Sequence, residues 1–325
     1  MTDVRIGAIG CGSIARAVHL PVLTRAAGVA ITALADPDPA SLAAAGRLAP
    51  NAARCRDAGE LLARDDVDAV LVTAPSGLHA ELAVGVAEAG RHLYLEKPLA
   101  TSLADGERVV AAARAAGIVA AIGFNRRFHP AIRRARSVVQ TGGIGRVSHV
   151  RTTFTDPGQN LPAWKLARAD GGGALLDLAS HHVDLLRFLL DAEVEDVTAI
   201  VTSSRSEHDG AILRLRLSDG AEAEIEVGFR PPQEDVLELA GTLGTIRIDR
   251  HRGSVQRQPG RLAPTRELLL LRLRLAVRPS SDPSYAAALR AFVARVRGAD
   301  VGLPTLEDGL ASLAVVLAAE EAAAG

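Results

Sequence analysis

Two cysteines in 325 residues, Cys11 and Cys55, are too few for a disulfide framework or a zinc knuckle. They read as small buried thiols in ordinary structural segments. An excess of one charge is also missing. The 37 Lys and Arg residues face 38 Asp and Glu, so no global field draws in nucleic acid or an anionic membrane. No uninterrupted apolar run approaches the roughly 18 residues of a membrane span, and the longest candidate, 310–319, stops at Glu320 and Glu321. The opening residues pass directly into an apolar strand, without the apolar stretch and small-residue cleavage site of a secretory signal. A reducing, cytoplasmic location is therefore the expectation. Aromatic residues are scarce too, at 3%, but the abundance of alanine and arginine points to GC-rich coding, so this scarcity excludes nothing.

What remains is the balance of a globular protein, 48% hydrophobic and 23% charged, in a chain too long for one ordinary core and comfortable for two domains. The first part alternates buried strands with helices. Segments 4–9, 29–35, 67–73, 92–95 and 119–124 read as strands. Segments 14–27, 41–48, 58–63, 78–89 and 104–116 read as helices, with Asp57 as cap of the third. Such alternation, with strands apolar throughout, predicts βαβ units and a doubly wound parallel sheet.

The pattern changes at Asn125-Arg126-Arg127. A helix over 131–140 is stopped by Thr141-Gly142-Gly143. Strand patterns then dominate, at 147–155, 194–202, 211–217, 221–229, 236–240 and 244–248, with Ser218-Asp219-Gly220 as a hairpin turn. The Leu/Arg alternation over 268–277 fits a strand or a short helix, and 285–297 and 305–324 read as helices. Two domains are expected: a dinucleotide-binding α/β domain over 1–123, and a substrate-binding α+β domain with an open sheet over 124–325.

Gly10-Cys11-Gly12-Ser13-Ile14-Ala15 lies between the first strand and the first helix, the context the dinucleotide fingerprint requires. Gly10 permits the tight turn, Gly12 lets backbone approach a pyrophosphate, and Ala15 keeps helix and sheet close. The helix start presents N–H groups to the phosphates. Asp36 closes the second strand, where a carboxylate accepts from adenine-ribose hydroxyls and repels a 2′-phosphate. NAD is favoured over NADP on that ground. Thr73, Pro75 and His79 lie at the carboxyl edge of the sheet, within reach of a cofactor, although His79 serves equally well as a packing histidine.

Two further segments suggest chemistry. Glu96-Lys97-Pro98 follows the fifth strand, and an ammonium there stabilises developing alkoxide charge. Gly171-Gly172-Gly173 opens a helix on which Asp177 and His181 are four residues apart, with Asp184 continuing the stripe. A carboxylate that orients an imidazole suits general acid–base work, because the histidine titrates near working pH. His182 points away and reads as structural. Asp177, His181 and Asp184 could hold zinc or iron, but no third ligand motif appears elsewhere and no metal is expected. Arg126, Arg127, Lys165 and Arg168 could meet a phosphate or carboxylate of a substrate, or be ordinary surface charges.

At these residues the chain resembles the glucose-fructose oxidoreductase / inositol dehydrogenase family, often called Gfo/Idh/MocA. The resemblance rests on Gly10–Ala15, on Thr73-Ala74-Pro75 with His79, on Glu96-Lys97-Pro98, on Asn125-Arg126-Arg127-Phe128 and on the segment 171–184. It implies a Rossmann domain followed by a domain built on a large, mostly antiparallel open sheet, the common oligomer interface, hence a homodimer or homotetramer. It places Lys97, Asp177 and His181 at the catalytic centre. Trp164-Lys165 stands where the family often carries Trp-Arg, lining or covering a substrate pocket. Ser76 replaces a usual asparagine. The implied activity is hydride transfer between NAD or NADP and a secondary alcohol or ketone carbon of a sugar, inositol or related cyclitol, nucleotide-linked or aminated forms included. A catalytically silent dinucleotide-binding regulator and an NAD-dependent glycoside hydrolase are the alternatives.

Overall fold

A computed structural model describes residues 3–159, 161–277 and 282–324. The first two residues of the chain's opening lie outside that range. The chain divides into two compact units, Met1–Phe124 with Tyr285–Leu313, and Asn125–Ser284 with Ala314–Gly325.

In the first unit, β1 (Val4–Ile9), β2 (Val29–Ala35), β3 (Ala53–Cys55), β4 (Ala69–Val72), β5 (His92–Leu95) and β6 (Ala120–Ile122) form one sheet in the order β3-β2-β1-β4-β5-β6. Every pairing is parallel. The chain's direction of travel across the sheet reverses between β1 and β4, which makes their carboxyl ends the switch point where such sheets bind ligands. The connecting helices are α1 (Leu20–Leu23), α2 (Pro39–Leu48), α3 (Ala58–Leu62), α4 (His79–Glu88) and α5 (Leu103–Ala116). Side chains of Asp38, Asp57 and Ser102 accept backbone N–H groups at the starts of α2, α3 and α5.

The helix expected over 14–27 is different in form. Ala15–His19 is wound as a π-turn, and α1 ends at Leu23. Pro21 lacks the N–H that an α-helix would bond to residue 17, so the regular ladder cannot run through this point. The short strand β3 escaped the sequence pattern because only three residues pair and Arg54 among them is exposed.

The second unit holds α6 (Pro130–Gln140), β7 (Val147–Thr155), α7 (Ser180–Leu190), β8 (Val194–Thr202), β9 (Gly210–Leu217), β10 (Glu222–Gly228), β11 (Glu234–Gly241), β12 (Gly244–Asp249), β13 (Ser254–Gln258) and α8 (Arg266–Val277). The sheet order is β13-β12-β11-β7-β10-β9-β8, and among these pairings only β7–β10 is parallel. Alternation decides the faces: Leu213, Leu215 and Leu217 are buried while Arg214 and Arg216 are exposed. On the outward face Arg247, Glu238, Arg151, Glu224 and Arg214 stand in register across five strands, a row of alternating charge. The segment 268–277 is helical because Leu268 and Leu271, three apart, both reach the core.

Two helices close the chain, α9 (Ser284–Val296) and α10 (Leu306–Ala324). Leu289, Phe292 and Val293 of α9 join the core of the first unit, with Phe292 edge-on to Tyr94 at 5.5 Å between ring centroids. No helix among the described residues is long and apolar enough to cross a membrane.

Candidate active site

The glycine loop follows β1. Gly10 has φ +88°, and a Cβ there would lie 2.6 Å from the backbone nitrogen of Ala74, so only glycine lets this loop cross the end of β4. Thr73 Oγ1 donates to the Gly10 carbonyl at 2.6 Å and pins the crossing. At Gly12 nothing lies within 4 Å of a Cβ position, which leaves the loop open to a close-approaching ligand. Ser13 is exposed, Ile14 half-buried and Ala15 fully buried. Asp36 sits beside the loop: Oδ2 accepts from the Cys11 N–H at 2.6 Å and Oδ1 from the Asp38 N–H at 2.8 Å. Burial, then the neighbouring Asp36 charge, push the buried Cys11 thiol up to about 12, consistent with an inert side chain. Pro75 is exposed at the same edge.

His79, expected within reach of the cofactor, and Glu96 of the Glu-Lys-Pro turn are both held by internal partners. Glu96 is buried, with Oε1 2.7 Å from His19 Nε2 and Oε2 accepting from the Lys97 N–H at 3.2 Å. Burial opposes its ionisation, but the His19 hydrogen bond outweighs this and the carboxyl lies below its ordinary range. Glu96 therefore braces the turn that carries Lys97, from a π-turn 77 residues away in sequence. His79 is also buried, between the carbonyls of Pro98 (Nδ1, 2.6 Å) and Ala74 (Nε2, 2.9 Å). Burial pushes its pKa down, and the neutral ring donates its single N–H to one of these two carbonyls. Lys97 itself is half-buried.

In the second unit the triple glycine leads into Leu175–Ala179, again a π-turn, which continues as α7. Asp177 and His181 are both buried, and Leu178, Leu185 and Leu189 pack inward beside them. Lys165 Nζ donates to Asp177 Oδ2 at 2.7 Å and lies 5.5 Å from the half-buried Trp164 ring. A Cβ on Gly172 would collide with the backbone of Trp164 and Lys165, so glycine is what lets that segment lie against the helix start. The structure thus brings Lys165 and Asp177 together.

It does not extend the stripe to Asp184. That carboxylate is buried and gripped by Arg127 through Nε at 3.0 Å and Nη2 at 2.5 Å, which also commits Arg127. Arg168 is likewise held, by both oxygens of Glu320 at 2.6 and 2.7 Å. Among the described residues no three His, Cys, Asp or Glu side chains converge as metal ligands.

Arg126, expected against substrate, belongs to a buried ionic cluster. Its Nη1 is 3.2 Å from Asp235 Oδ2 and its guanidinium lies 3.7 Å over the Phe154 ring. Arg250 bridges Asp235 at 2.7 Å and Asp282 at 2.6 Å, and His182 stacks on Phe154 with Nε2 3.6 Å from Asp235. Alternation along β11 turns Asp235 inward with Leu237 and Leu239, which is why a charged cluster forms under the sheet.

This cluster predicts acid lability. Burial, then the Arg250 charge, hold His129 down to about 4 against an ordinary 6.5. The unfolded chain then binds that proton more tightly, so stability falls as pH drops from about 6.5 to about 4. Burial opposes ionisation of Asp282, but Arg250 prevails and holds it at about 2, so a second loss follows as pH falls from 3.8 to about 2. Thermal melts between pH 7 and pH 5 should show a steadily falling midpoint, and a flat profile there would contradict the buried neutral His129.

An open glycine loop at the switch point of a parallel sheet marks the first unit as a dinucleotide-binding domain of the oxidoreductase type. Residues 4–124 match the oxidoreductase family with an NAD-binding Rossmann fold, and residues 132–247 match the GFO/IDH/MocA C-terminal domain. The chain belongs to the Gfo/Idh/MocA family of oxidoreductases. It is 33% identical to 1,5-anhydro-D-fructose reductase of Ensifer adhaerens, over 82% of this chain and 80% of the relative. It is 30% identical to inositol 2-dehydrogenase of Rhizobium meliloti, over 97% and 96%. The solved structure of GenD2 from gentamicin A biosynthesis, in complex with NAD, superposes with a TM-score of 0.86 at 27% identity, covering 100% of this chain and 95% of that one.

Proposed function

We propose that this oxidoreductase moves a hydride between NAD and a secondary alcohol or ketone carbon of a sugar, inositol or related cyclitol. The observation that carries the reading is the buried Asp177 and His181, one helical turn apart at a glycine-opened helix start, in a chain whose other unit has a dinucleotide loop. The loop fits the cofactor on three counts: the open Cβ position at Gly12, the turn at Gly10 and the Asp36 carboxylate beside them. Gly10, Gly12, Ser13 and Ile14 would line the pyrophosphate. Asp36 would accept from the adenine ribose, and with Asp38 two residues on, the edge disfavours a 2′-phosphate. Bound nicotinamide supplies the hydride acceptor or donor.

The chain's residues supply the rest. In the oxidation direction His181 accepts the substrate hydroxyl proton, and in reduction it returns it. Asp177 orients the imidazole. Lys97, on the turn braced by Glu96, donates to the substrate oxygen and stabilises its negative charge. Relatives named for 1,5-anhydro-D-fructose and inositol support a polyhydroxylated ring as the substrate class.

The test is the absorbance of reduced cofactor across a panel of polyols, cyclitols and keto-sugars. Net cofactor turnover is expected with at least one, and NAD should be preferred over NADP by roughly 10–100-fold from the charge-assisted ribose bonds. Binding without turnover on the whole panel would point instead to a silent regulator, and substrate cleavage without net cofactor change to a hydrolase.

A further inference from the structure

Of the 37 basic side chains in this chain only two are lysine, Lys97 and Lys165; every other is arginine. A chain that uses arginine so uniformly keeps a lysine where a guanidinium does a different job. One of the two lies in the Glu-Lys-Pro turn. The other donates to Asp177.

We propose that Lys165 is a positioning residue for Asp177, acting on the reaction through that carboxylate and not by binding substrate. The inference rests on the roles given above to Asp177 and His181. Lys165 is tied to the helix start twice, by its carbonyl, which accepts from the Gly173 N–H at 2.9 Å, and by its ammonium, which donates to Asp177 Oδ2 at 2.7 Å. The segment bearing it is anchored in turn. Arg168 is clamped by Glu320, its N–H donates to Glu207 Oε2 at 2.5 Å, and the Ala174 N–H donates to the His208 carbonyl at 2.7 Å. The ammonium is therefore delivered to a fixed point beside the carboxylate.

The residue type follows from hydrogen-bond geometry. A guanidinium is a planar fork that engages both oxygens of a carboxylate. That is what Arg127 does to Asp184 and Arg168 to Glu320 in this same unit. An ammonium is a point donor. It takes Oδ2 of Asp177 from one direction and does not span both oxygens as a fork would.

Kinetics of Lys165→Met, Lys165→Arg, Asp177→Asn and the double variant Lys165→Met/Asp177→Asn test this. Lys165→Met should lower kcat roughly 10–100-fold with KM nearly unchanged. Lys165→Arg should also lose rate although it keeps the charge. The double variant should be no slower than Asp177→Asn alone, because both substitutions remove one unit of function. A raised KM at wild-type kcat, multiplicative losses in the double variant, or wild-type rates in Lys165→Arg would each overturn the proposal. A second readout needs no turnover. Reductive methylation with isotope-labelled formaldehyde gives only two lysine side-chain signals in carbon NMR. Asp177→Asn should move the Lys165 signal, and an unmoved Lys165 signal refutes the pairing. If His181→Ala retains turnover while the Lys165 signal does respond, the catalytic reading fails and the ion pair stands.

Discussion

His181→Ala is expected to lower turnover by roughly 10²–10⁴ while NAD affinity stays at its wild-type value. The size follows from what the side chain does. Oxidising an alcohol at neutral pH requires a base that takes the hydroxyl proton as the hydride leaves, and imidazole is the side chain that titrates closest to that pH. His181 is buried in the second unit, on the helix turn after Asp177, so bulk water does not readily replace it. The dinucleotide loop belongs to the first unit, 171 residues earlier in the chain at Gly10, and the substitution changes none of its residues. Steady-state kinetics and a fluorescence titration with NAD separate the two quantities. His182→Ala is the control. That ring stacks on Phe154 and faces Asp235, so its loss should reduce stability and leave the chemistry largely intact. Wild-type turnover in His181→Ala would remove the acid–base role altogether.

Asp235→Ala is expected to cost about 3–5 kcal/mol of stability, the largest structural effect foreseen for a single substitution here. Asp235 is fully buried, and burial opposes its charge. The Arg126 and Arg250 guanidiniums prevail and hold the carboxyl well below the usual range. Removing it leaves Arg126, whose side chain is 5% exposed, without this counter-charge and unable to recover water. Arg250 keeps Asp282 and suffers less. For a unit of this size the loss corresponds to a melting temperature lower by roughly 6–20 °C, readable by calorimetry. A shift of only a degree or two would mean that the cluster is hydrated and contributes little.

The alternation of strands and helices gave five of the six parallel strands, missing only β3, and period-two patterning placed β7 to β12 within a residue or two. These patterns are readable because neighbours in sequence impose them: side chains alternate across a strand and repeat around a helix whatever the rest of the chain does. Edges were harder. The strand pattern at 236–240 starts one residue after Asp235, and a carboxylate on a buried face breaks the rule that reveals the face. Regular spacing also hides the two π-turns, Ala15–His19 and Leu175–Ala179, since a local change in winding leaves the residue order unaltered.

The amino-acid order by itself determined the parallel α/β sheet followed by a mostly antiparallel one, the glycine loop with its distal Asp36, and the candidacy of Lys97, Asp177 and His181. All of these are local spacings or strand-end positions. The return of Tyr285–Leu313 to the first unit was not legible there. Only the tertiary structure decided which charged groups are occupied: Glu96 by His19 across 77 residues, Arg168 by Glu320 across 152, Asp184 by Arg127 and Asp235 by Arg126. The physical reason is that an ion pair depends on a few ångströms of separation in space. Where two carboxylates look alike in sequence, burial and the nearest cation determine which of them becomes a structural anchor.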